Sequence, residues 1–414
     1  MADGSLPQLV TTFVGERYHD VGMTSDLIAP PYDVITTDQR RIYRERSEHN
    51  IVRLILPAGN GDRYAHAATM LNSWRTQGVL AKDDEPSVYV VRQEFTTPDG
   101  EQRARTGVIG AVAVEPYSHG RIRPHEKTHR GPKEDRLALM KATRAMFEAL
   151  LMMSRDSDGA LLEELRSATE GEPEVEAQLA GARISLWRVS GRAGESIAAA
   201  ASGGDGLYIA DGHHRYETAE TYRGMVPEAD RTLALIVPLG DPGLEVLPTH
   251  RIIHGDQVDQ PALMSRLGPA FEVTTLASTH DAETYVGAAD GQARCVVYLP
   301  GPRYLGLRLN EGIELSHLPY ADESTVTDLA VAKIDSLVVE QIRAMSLTAG
   351  KISYSPSAKD AIQLVYSEGA AGAVLVSPTT VEQVLEVSDA GGFMPQKSTY
   401  FDPKVPSGLV VLGW

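Results

Sequence analysis

The chain has 414 residues, of which 42% are hydrophobic and 23% are charged, a composition typical of a folded globular protein. A chain of this length predicts two or three domains rather than one core. The 39 basic and 56 acidic residues leave a formal charge of −17, which argues against a general nucleic-acid binder and against binding to an anionic membrane surface. An acidic protein can still bind phosphate in a local basic pocket, so the charge limits the partners more than the substrates.

Three further features of the sequence bear on compartment. The single cysteine, Cys295, lies in an apolar run, so we expect a buried strand residue and no disulfide within the chain. The N-terminus has neither the positive nor the apolar region of a secretory signal. No apolar run approaches the roughly 18 residues that cross a bilayer. We therefore expect a cytoplasmic protein that does not enter a membrane.

The region 1–257 is predicted to alternate strands and helices. Its first elements are, in chain order, a rigid double-proline turn at Ala29–Val34, a strand at Ile51–Leu56, a helix at Tyr64–Gln77, and a hairpin of strands Ser87–Phe95 and Arg105–Val114 around a Pro98-Asp99-Gly100 turn. A basic loop follows at Arg121–Lys133.

The second half of this region begins with a predicted amphipathic helix of about twenty residues that carries Leu139, Met146, Leu150 and Met153 near one face. Glu164–Gln178 is acidic and predicts a surface helix or loop. The remaining elements are the strand Leu207–Ala210, the helix Tyr216–Arg223 and the strand Leu233–Pro238.

From residue 258 to residue 414 the pattern predicts a second, α+β domain. Its expected elements are a helix at Ala262–Leu267, strands near 293–308, a helix at Leu329–Ala344, a strand at Val374–Ser377, a helix at Val381–Asp389 and a proline-punctuated tail at Met394–Pro406. The predicted fold class is thus α/β (α+β), with the division between residues 257 and 258.

The sharpest candidate site is the segment Asp211-Gly212-His213-His214-Arg215. An apolar strand delivers the chain to a glycine, which permits a tight turn, and a helix then begins. The N–H groups and dipole of a helix N-terminus favour an anion, and an arginine can hold a phosphate through two hydrogen bonds. The alternative is a turn in which Asp211 caps the helix and the histidines are solvated.

The basic loop is the second candidate, because cationic side chains cluster there in an otherwise acidic chain. His125, Lys127, Lys133 and Arg136 can neutralise phosphates, and Glu126 or Asp135 can hold Mg²⁺ or act as a base. The alternative is a solvated basic loop before an ordinary helix.

The same loop contains His125-Glu126-x-x-His129, the spacing of the zinc-protease motif. That motif requires both histidines on one face of a continuous helix. Pro124 before the motif and Gly131-Pro132 after it leave at most about two turns of helix. We therefore do not expect zinc.

The C-terminal tail is the third candidate. Lys397, Ser398, Thr399 and Lys404 can complete a phosphate site from a distant part of the chain, although without a glycine-rich loop they do not form a P-loop. A purely structural tail remains the alternative. Lesser candidates are Tyr32-Asp33, after the double proline, and Thr249-His250-Arg251, after Pro248, and turn chemistry also explains each of them.

These segments together resemble the family called domain of unknown function 1015. The resemblance rests on the segments Ala29–Val34, His125–Thr128 with Gly131–Arg136, Ala210–Tyr216, Pro248–Arg251 and Met394–Thr399, which occur in the family's order along essentially the whole chain. His129 falls outside the family pattern, which further weakens the zinc interpretation.

A shorter resemblance concerns function. Asp211–Arg215 resembles the phosphate-binding motif of the ParB/sulfiredoxin superfamily, which includes chromosome-partition CTPases, sulfiredoxins and free-serine kinases. It implies a ParB/sulfiredoxin-like mixed core and nucleotide phosphates held by Gly212, His213, His214 and Arg215. Cys295 does not match the sulfiredoxin cysteine, and a charge of −17 fits DNA binding poorly, so the kinase branch fits best.

The resulting hypothesis is phosphoryl transfer between ATP or ADP and a small hydroxylated metabolite, with free L-serine or a relative as the favoured acceptor and Mg²⁺ as cofactor. The candidate catalytic residues are Glu126, Asp135, Asp211 and His213. Two alternatives stay open, a phosphatase of O-phosphoserine-like monoesters and a nucleotide-binding switch without turnover. A homo-oligomer is also left open.

Overall fold

The computed structural model describes residues 6–19, 24–59, 61–98, 100–288, 290–301, 303–316, 318–320, 322–346, 348, 350–367 and 369–414. The chain folds into two compact units. The first unit comprises the residues up to Pro124, Thr128–Glu245 and Pro403–Trp414, and the second comprises His125–Lys127 and Val246–Asp402. Compact packing alone does not establish independent folding, so the domain boundary at residues 257 and 258 stays a prediction.

The strands of the described chain are short to medium in length. In chain order they are β1 (Val10–Thr11), β2 (Glu16–Tyr18), β3 (Leu80–Lys82), β4 (Ser87–Thr96), β5 (Gln102–Ala113), β6 (Ile122–Arg123), β7 (Ala145–Met146), β8 (Leu150–Ser154), β9 (Val175–Leu179), β10 (Ala182–Ser190), β11 (Leu207–Asp211), β12 (Arg231–Pro238), β13 (Glu245–Leu247), β14 (His250–Ile253), β15 (Phe271–Leu276), β16 (Arg294–Leu299), β17 (Arg303–Leu309), β18 (Ile352–Ser355), β19 (Gly372–Val376), β20 (Tyr400–Asp402) and β21 (Leu412–Gly413).

The helices alternate with these strands in both units. In chain order they are α1 (Thr37–Arg46), α2 (Val52–Ile55), α3 (Arg63–Thr76), α4 (Arg130–Thr143), α5 (Ala160–Ala168), α6 (Gly191–Ser202), α7 (His213–Arg223), α8 (Gln260–Leu267), α9 (Thr279–Val286), α10 (Ser324–Thr327), α11 (Ala330–Ile334), α12 (Glu340–Met345), α13 (Ala358–Ser367) and α14 (Val381–Asp389). No helix within the described ranges is both long enough and apolar enough to cross a membrane.

The first unit is built on a mixed sheet in the order β6-β11-β8-β12-β5-β4-β10-β9, with β1 added beside β5. The pairs β11–β6 and β12–β8 are parallel, and the other neighbours are antiparallel. The central strand β8 is buried at all five positions. This sheet places the end of β11, at Asp211, beside the start of β8.

The second unit contains an antiparallel sheet in the order β15-β17-β16-β19-β14-β18. Alternate residues of β16 enter two different cores, Cys295 and Val297 on one face, and Val296 and Tyr298 on the other. This alternation follows from the two-residue period of a strand. The predicted burial of Cys295 in a strand is confirmed.

The predicted α/β class is confirmed, and most predicted elements are present. The predictions that the structure confirms are the helix near 64–77, the strand pair of the hairpin, the strands at 207–210, 233–238 and 374–377, and the helices at 262–267 and 381–389. Asp99 of the hairpin turn lies outside the described residues. The helix predicted at 216–223 begins earlier, at His213.

Two predictions of local structure are wrong, and a third is wrong in part. The run 51–56 forms α2 instead of a strand, because the buried Asn50 side chain accepts a hydrogen bond from the Val52 N–H, at 2.9 Å, and so starts a helical turn. The long helix ends at Thr143, where Arg144 adopts a left-handed φ of 51°. Leu150 and Met153 therefore lie in β8. The segment 164–178, predicted as a surface helix or loop, is helix to Ala168 and then loop as expected, and only its last four residues belong to β9.

Candidate functional site

The Asp211 turn joins the end of β11 to the start of α7. Gly212 adopts a φ of 100° and provides no side-chain cap to the helix. A Cβ at this position would lie 2.6 Å from Leu150 Cδ2 and 3.0 Å from the Arg215 guanidinium. Both the left-handed conformation and the close approach of Leu150 therefore require glycine.

Two cations hold the Asp211 carboxylate. Arg215 Nη2 donates to Asp211 Oδ2 at 2.7 Å, and Lys404 Nζ donates to Asp211 Oδ1 at 2.9 Å. Arg215 is 4% exposed and also donates from Nη1 to the backbone oxygen of Ala149, whereas the Lys404 side chain is 14% exposed. Arg215 thus fixes the turn from inside the protein, and Lys404 contacts the turn from its more accessible side.

The predicted phosphate contact of Arg215 meets an obstacle in this arrangement. Burial by itself lowers the pKa of Arg215, but the carboxylates of Asp211 and Glu148 raise it above its ordinary value, so the guanidinium stays charged. Its hydrogen bonds to Asp211 and Ala149 would have to break before both of its nitrogens could bind a phosphate. The role of Arg215 as a phosphate ligand stays a prediction.

A second set of contacts ties the double-proline turn to this site. Arg136, which is 5% exposed, stacks 4.0 Å above the Tyr32 ring and pairs with Glu148 at 3.2 Å. The Tyr32 N–H donates to Glu148 at 2.8 Å. Asp33 is near enough to raise the pKa of Arg215. The structure therefore brings Tyr32 and Arg136 to the same buried carboxylate, with Asp33 close to Arg215.

Glu148 is a residue that reasoning from the sequence missed. It is 5% exposed and serves both Arg136 and the Tyr32 backbone. The signal was present, because Glu148 is the lone charge in the apolar run from Ala145 to Met153, and buried carboxylates require partners. A cavity of about 30 Å³ beside Glu148, Arg136 and Arg215 has room for about one water molecule.

Asp135 is engaged by neighbours of its own. It accepts hydrogen bonds from Arg63 at 2.6 Å, from the Tyr64 hydroxyl at 2.7 Å and from Arg136 at 2.5 Å. Burial raises the pKa of Asp135, but the Arg136 charge and the Tyr64 hydrogen bond outweigh it and lower the pKa below its ordinary value. A carboxylate with a lowered pKa is a weak base, so this environment favours a structural role for Asp135 over the predicted catalytic one.

The segment that leads into α4 contacts α7. The His129 N–H donates to His214 Nε2 at 2.9 Å, which places the proton of a neutral His214 ring on Nδ1. Thr128 and Lys133 both donate to Glu217, at 2.5 and 2.7 Å. Glu217, one turn after His213, was also missed from the sequence. His213 itself is 7% exposed.

The zinc-protease geometry is not formed by this loop. Helix α4 begins at Arg130, so His125 and His129 both precede it and do not share a helical face. The two residues predicted to bind Mg²⁺, Glu126 and Asp135, belong to different units. Among the residues that the structure describes, no group of three or more His, Cys, Asp or Glu side chains is placed to hold a metal ion.

The remaining predicted site residues lie in the second unit. His125 Nε2 lies 3.0 Å from Thr399 Oγ1, and the Met394 N–H donates to the His125 backbone oxygen at 2.8 Å. Lys127 Nζ lies 5.3 Å from the centre of the Phe393 ring. The two motifs therefore pack together, although His125 and Thr399 are 274 positions apart in the sequence.

The tail residues of this unit have their own arrangement. Ser398 Oγ donates to the Pro395 backbone oxygen at 2.5 Å, and Lys397 has a left-handed φ of 54°. Glu126 forms a single parallel bridge with Met394. The predicted residues thus form two groups, Glu126, His125, Lys127, Lys397, Ser398 and Thr399 in the second unit, and Tyr32, Asp33, Lys133, Asp135, Arg136, Asp211, Gly212, His213, His214, Arg215 and Lys404 in the first.

The fold is that of an α/β protein. Its first-unit site consists of a helix N-terminus that follows a glycine turn and of a carboxylate held by two cations. The family model described as "Protein of unknown function (DUF1015)" matches residues 10–339. The chain belongs to this family, which confirms the resemblance carried by the sequence motifs. A comparison with curated proteins gave no match.

Solved structures with some similarity cover most of the chain at low identity. A conserved hypothetical protein from Pyrococcus furiosus is 15% identical, with a TM-score of 0.35, over 69% of this chain and 90% of that one. A free serine kinase in complex with AMP is 16% identical, with a TM-score of 0.33, over 70% and 89%. SbnI from Staphylococcus aureus, truncated at its C-terminus, is 9% identical, with a TM-score of 0.35, over 72% and 84%. Similarity at this level carries no argument about the chemistry of this chain.

Proposed function

We propose that this protein is a phosphotransferase that moves a phosphoryl group between ATP or ADP and a small hydroxylated metabolite, with free L-serine as the favoured acceptor. The observation that supports this proposal is the Asp211 carboxylate, which lies between Arg215 and Lys404 directly before the N-terminus of α7. Phosphoryl transfer depends on positioning, positive charge and one proton acceptor, and these three elements meet at this turn.

The nucleotide phosphates would be bound at the start of α7. The helix dipole favours negative charge there, and Gly212 leaves the N-cap without a side chain. Lys404 is the cation best suited to move from Asp211 to a phosphate, because its side chain is more exposed than that of Arg215. Arg215 would keep the turn in place while Lys404 changes partner.

The chemical step would use the carboxylate that Lys404 releases. The hydroxyl oxygen of the acceptor attacks the terminal phosphorus of the nucleotide, its new O–P bond forms, and the bond from that phosphorus to the bridging oxygen breaks. The nucleotide leaves with one phosphate fewer, and the hydroxyl proton passes to Asp211. Asp211 is preferred to Asp135 as base because the departure of Lys404 would free one of its oxygens beside the bound phosphates, whereas Asp135 is held by Arg63, Tyr64 and Arg136.

The carboxylates of the first unit do not form a ready metal site. Both oxygens of Asp211 and both oxygens of Asp135 accept hydrogen bonds from cations or from a tyrosine. In this arrangement neither carboxylate fits Mg²⁺, and the Mg²⁺ requirement stays a prediction. The predicted phosphate or metal ligands of the second unit also stay predictions. They are His125, Glu126, Lys127, Lys397, Ser398 and Thr399.

The test is product detection with the full chain. The protein is incubated with MgCl₂, ATP or ADP and a panel of hydroxylated amino acids that includes L-serine, and products are followed by ³¹P NMR. We expect a phosphate monoester in step with nucleotide consumption, and a loss of about a hundredfold on Lys404→Ala, the size of effect seen for one charge-stabilising donor. EDTA addition tests the Mg²⁺ requirement.

The control variant is Arg166→Ala, which removes an exposed cation of α5 that pairs with Glu163 and should leave turnover unchanged. Free phosphate released from O-phosphoserine without nucleotide would identify a phosphatase instead. Tight nucleotide binding without turnover, together with a change of oligomeric state, would identify a switch. Either of these two results would contradict phosphoryl transfer.

A further inference from the structure

A second polar pocket lies wholly within the second unit. It has a volume of about 290 Å³, and the residues that matter for its chemistry are Arg251, Tyr320, Asp335, Glu340, Arg343 and Tyr354. The pocket thus collects Arg251 from the Thr249–Arg251 motif and Pro395 and Gln396 from the Met394–Thr399 motif, neither of which the Asp211 site uses. Its remaining polar residues come from segments that the sequence did not single out.

One wall of this pocket is an irregular helix. The sequence predicts one continuous helix at 329–344, but the residues Asp335–Val339 form a π-helical turn between α11 and α12. Asp335, Ser336 and Val339 of this turn all line the pocket. Such wide turns are rare and occur mostly at functional sites, which makes this wall a second indication of binding.

The charges of the pocket are balanced in pairs. Arg251 is 1% exposed and contacts Asp335 through two hydrogen bonds, of 2.7 Å from Nε and 2.9 Å from Nη2. Arg343 donates to Glu340 at 2.7 Å, and these two side chains are 37% and 57% exposed. Two cations therefore face two carboxylates. A ligand with a large net charge would leave one sign without compensation.

Two tyrosines add donors and aromatic surface. Within the described ranges, neither the Tyr320 nor the Tyr354 hydroxyl has a hydrogen-bond partner. Burial raises the pKa of both tyrosines, so the hydroxyls remain protonated donors at neutral pH. The face of a tyrosine ring also attracts an ammonium group. The pocket can therefore hold both an anion and a cation.

We propose that this pocket binds a small zwitterion with one carboxylate and one ammonium group, the chemistry of a free α-amino acid. The ammonium group would contact Asp335, Glu340 and a tyrosine face, and the carboxylate would contact Arg343 and the tyrosine hydroxyls. The balanced charges disfavour a free phosphate, which Asp335 and Glu340 would repel. This proposal does not rest on phosphoryl transfer, since it needs neither a nucleotide nor the Asp211 site.

The test is calorimetric titration of the full chain, without nucleotide, with each of the L-amino acids. For an amino acid that binds, the amine that lacks its carboxylate and the acid that lacks its ammonium group are titrated in parallel. We expect both analogues to bind at least about tenfold more weakly, because each leaves a charged group of the pocket unpaired. Arg343→Gln and Tyr354→Phe should each weaken binding by about five- to tenfold, since the first removes a positive charge and the second a hydroxyl donor.

These two variants are chosen because Arg343 and Tyr354 are partly exposed, whereas loss of Arg251 or Asp335 would break a buried pair and endanger folding. The matched control is Arg308→Gln, which removes a half-exposed cation paired with Glu272 on the same unit and should leave binding unchanged. The absence of binding by every amino acid overturns the proposal. Equal binding by either analogue, or binding that neither pocket variant weakens, overturns it as well.

Discussion

Lys404 and Asp211, which are 193 positions apart in the sequence, form an ion pair of 2.9 Å in the first unit. The backbone around Lys404 is held against the sheet, because Arg105 of β5 donates to the Pro403 oxygen and Gln93 of β4 donates to the Lys404 oxygen at 3.0 Å. These contacts bring the C-terminal segment back to the end of β11. They explain how a lysine far along the chain comes to complete the Asp211 turn.

We expect the two cations on Asp211 to differ in their effect on stability. Arg215→Ala should lower the free energy of unfolding by about 3 to 5 kcal/mol, because it removes one partner of a buried pair. Lys404→Ala should cost about 1 kcal/mol or less, because its more accessible pair is closer to a surface salt bridge. Urea denaturation of both variants gives the comparison. Equal losses would mean that Arg215 is not the structural anchor of the turn.

Gly212→Ala should be more destabilising than an alanine at another left-handed glycine. The matched control is Gly120→Ala, where φ is 74° and a Cβ would meet nothing within 4 Å, so only the backbone cost of about 1 kcal/mol applies. At Gly212 the overlap with Leu150 adds about 1 to 3 kcal/mol. Thermal unfolding of the two variants measures the difference, and similar losses would show that the close packing of Leu150 is unimportant.

Glu148→Gln tests whether the buried carboxylate is needed to compensate the charge of Arg136. The amide keeps the size of the side chain but removes the negative charge that faces buried Arg136, so we expect a loss of about 3 kcal/mol in the free energy of unfolding. Glu163→Gln is the control, since it changes an exposed pair with Arg166 and should leave stability unchanged. A neutral result for Glu148→Gln would assign the support of Arg136 to Asp135 alone.

The buried His250 should make stability depend on pH in the mildly acidic range. Burial and, to a smaller extent, the Arg251 charge lower the pKa of His250 from 6.5 to about 4. The unfolded chain therefore takes up this proton first as the pH falls. The contribution of neutral His250 to the free energy of unfolding is complete above pH 6.5. It is progressively lost towards pH 4, by about 2 kcal/mol at pH 5.

His250→Gln should remove this component of the pH dependence between pH 6.5 and 5, because glutamine does not titrate there. His254→Gln, four positions after His250 and directly after the end of β14, should retain it. The free energies of unfolding of the wild type and of both variants are measured at several pH values and compared. A wild-type curve that is flat in this range would refute the lowered pKa of His250.

Several features of the site could be predicted from sequence because they are local. Leu207–Ala210 followed by Asp211-Gly212 specifies a buried strand, a left-handed turn and a helix start within a few residues, and all three are present. The motifs also indicated the family. By contrast, the apolar run at 150–153 was assigned to a helix, because periodicity cannot distinguish a strand buried on both faces from a buried helix.

The sequence by itself therefore determined the α/β class, the family and the conformation of the Asp211 turn, since these depend on hydrophobic periodicity and on the backbone freedom of single residues. Only the tertiary structure decided which charges meet. It paired Asp211 with Lys404, Glu148 with Arg136, and Arg251 with Asp335. Buried charges must find partners wherever the fold allows, and the fold sets those distances through contacts between residues far apart in the chain.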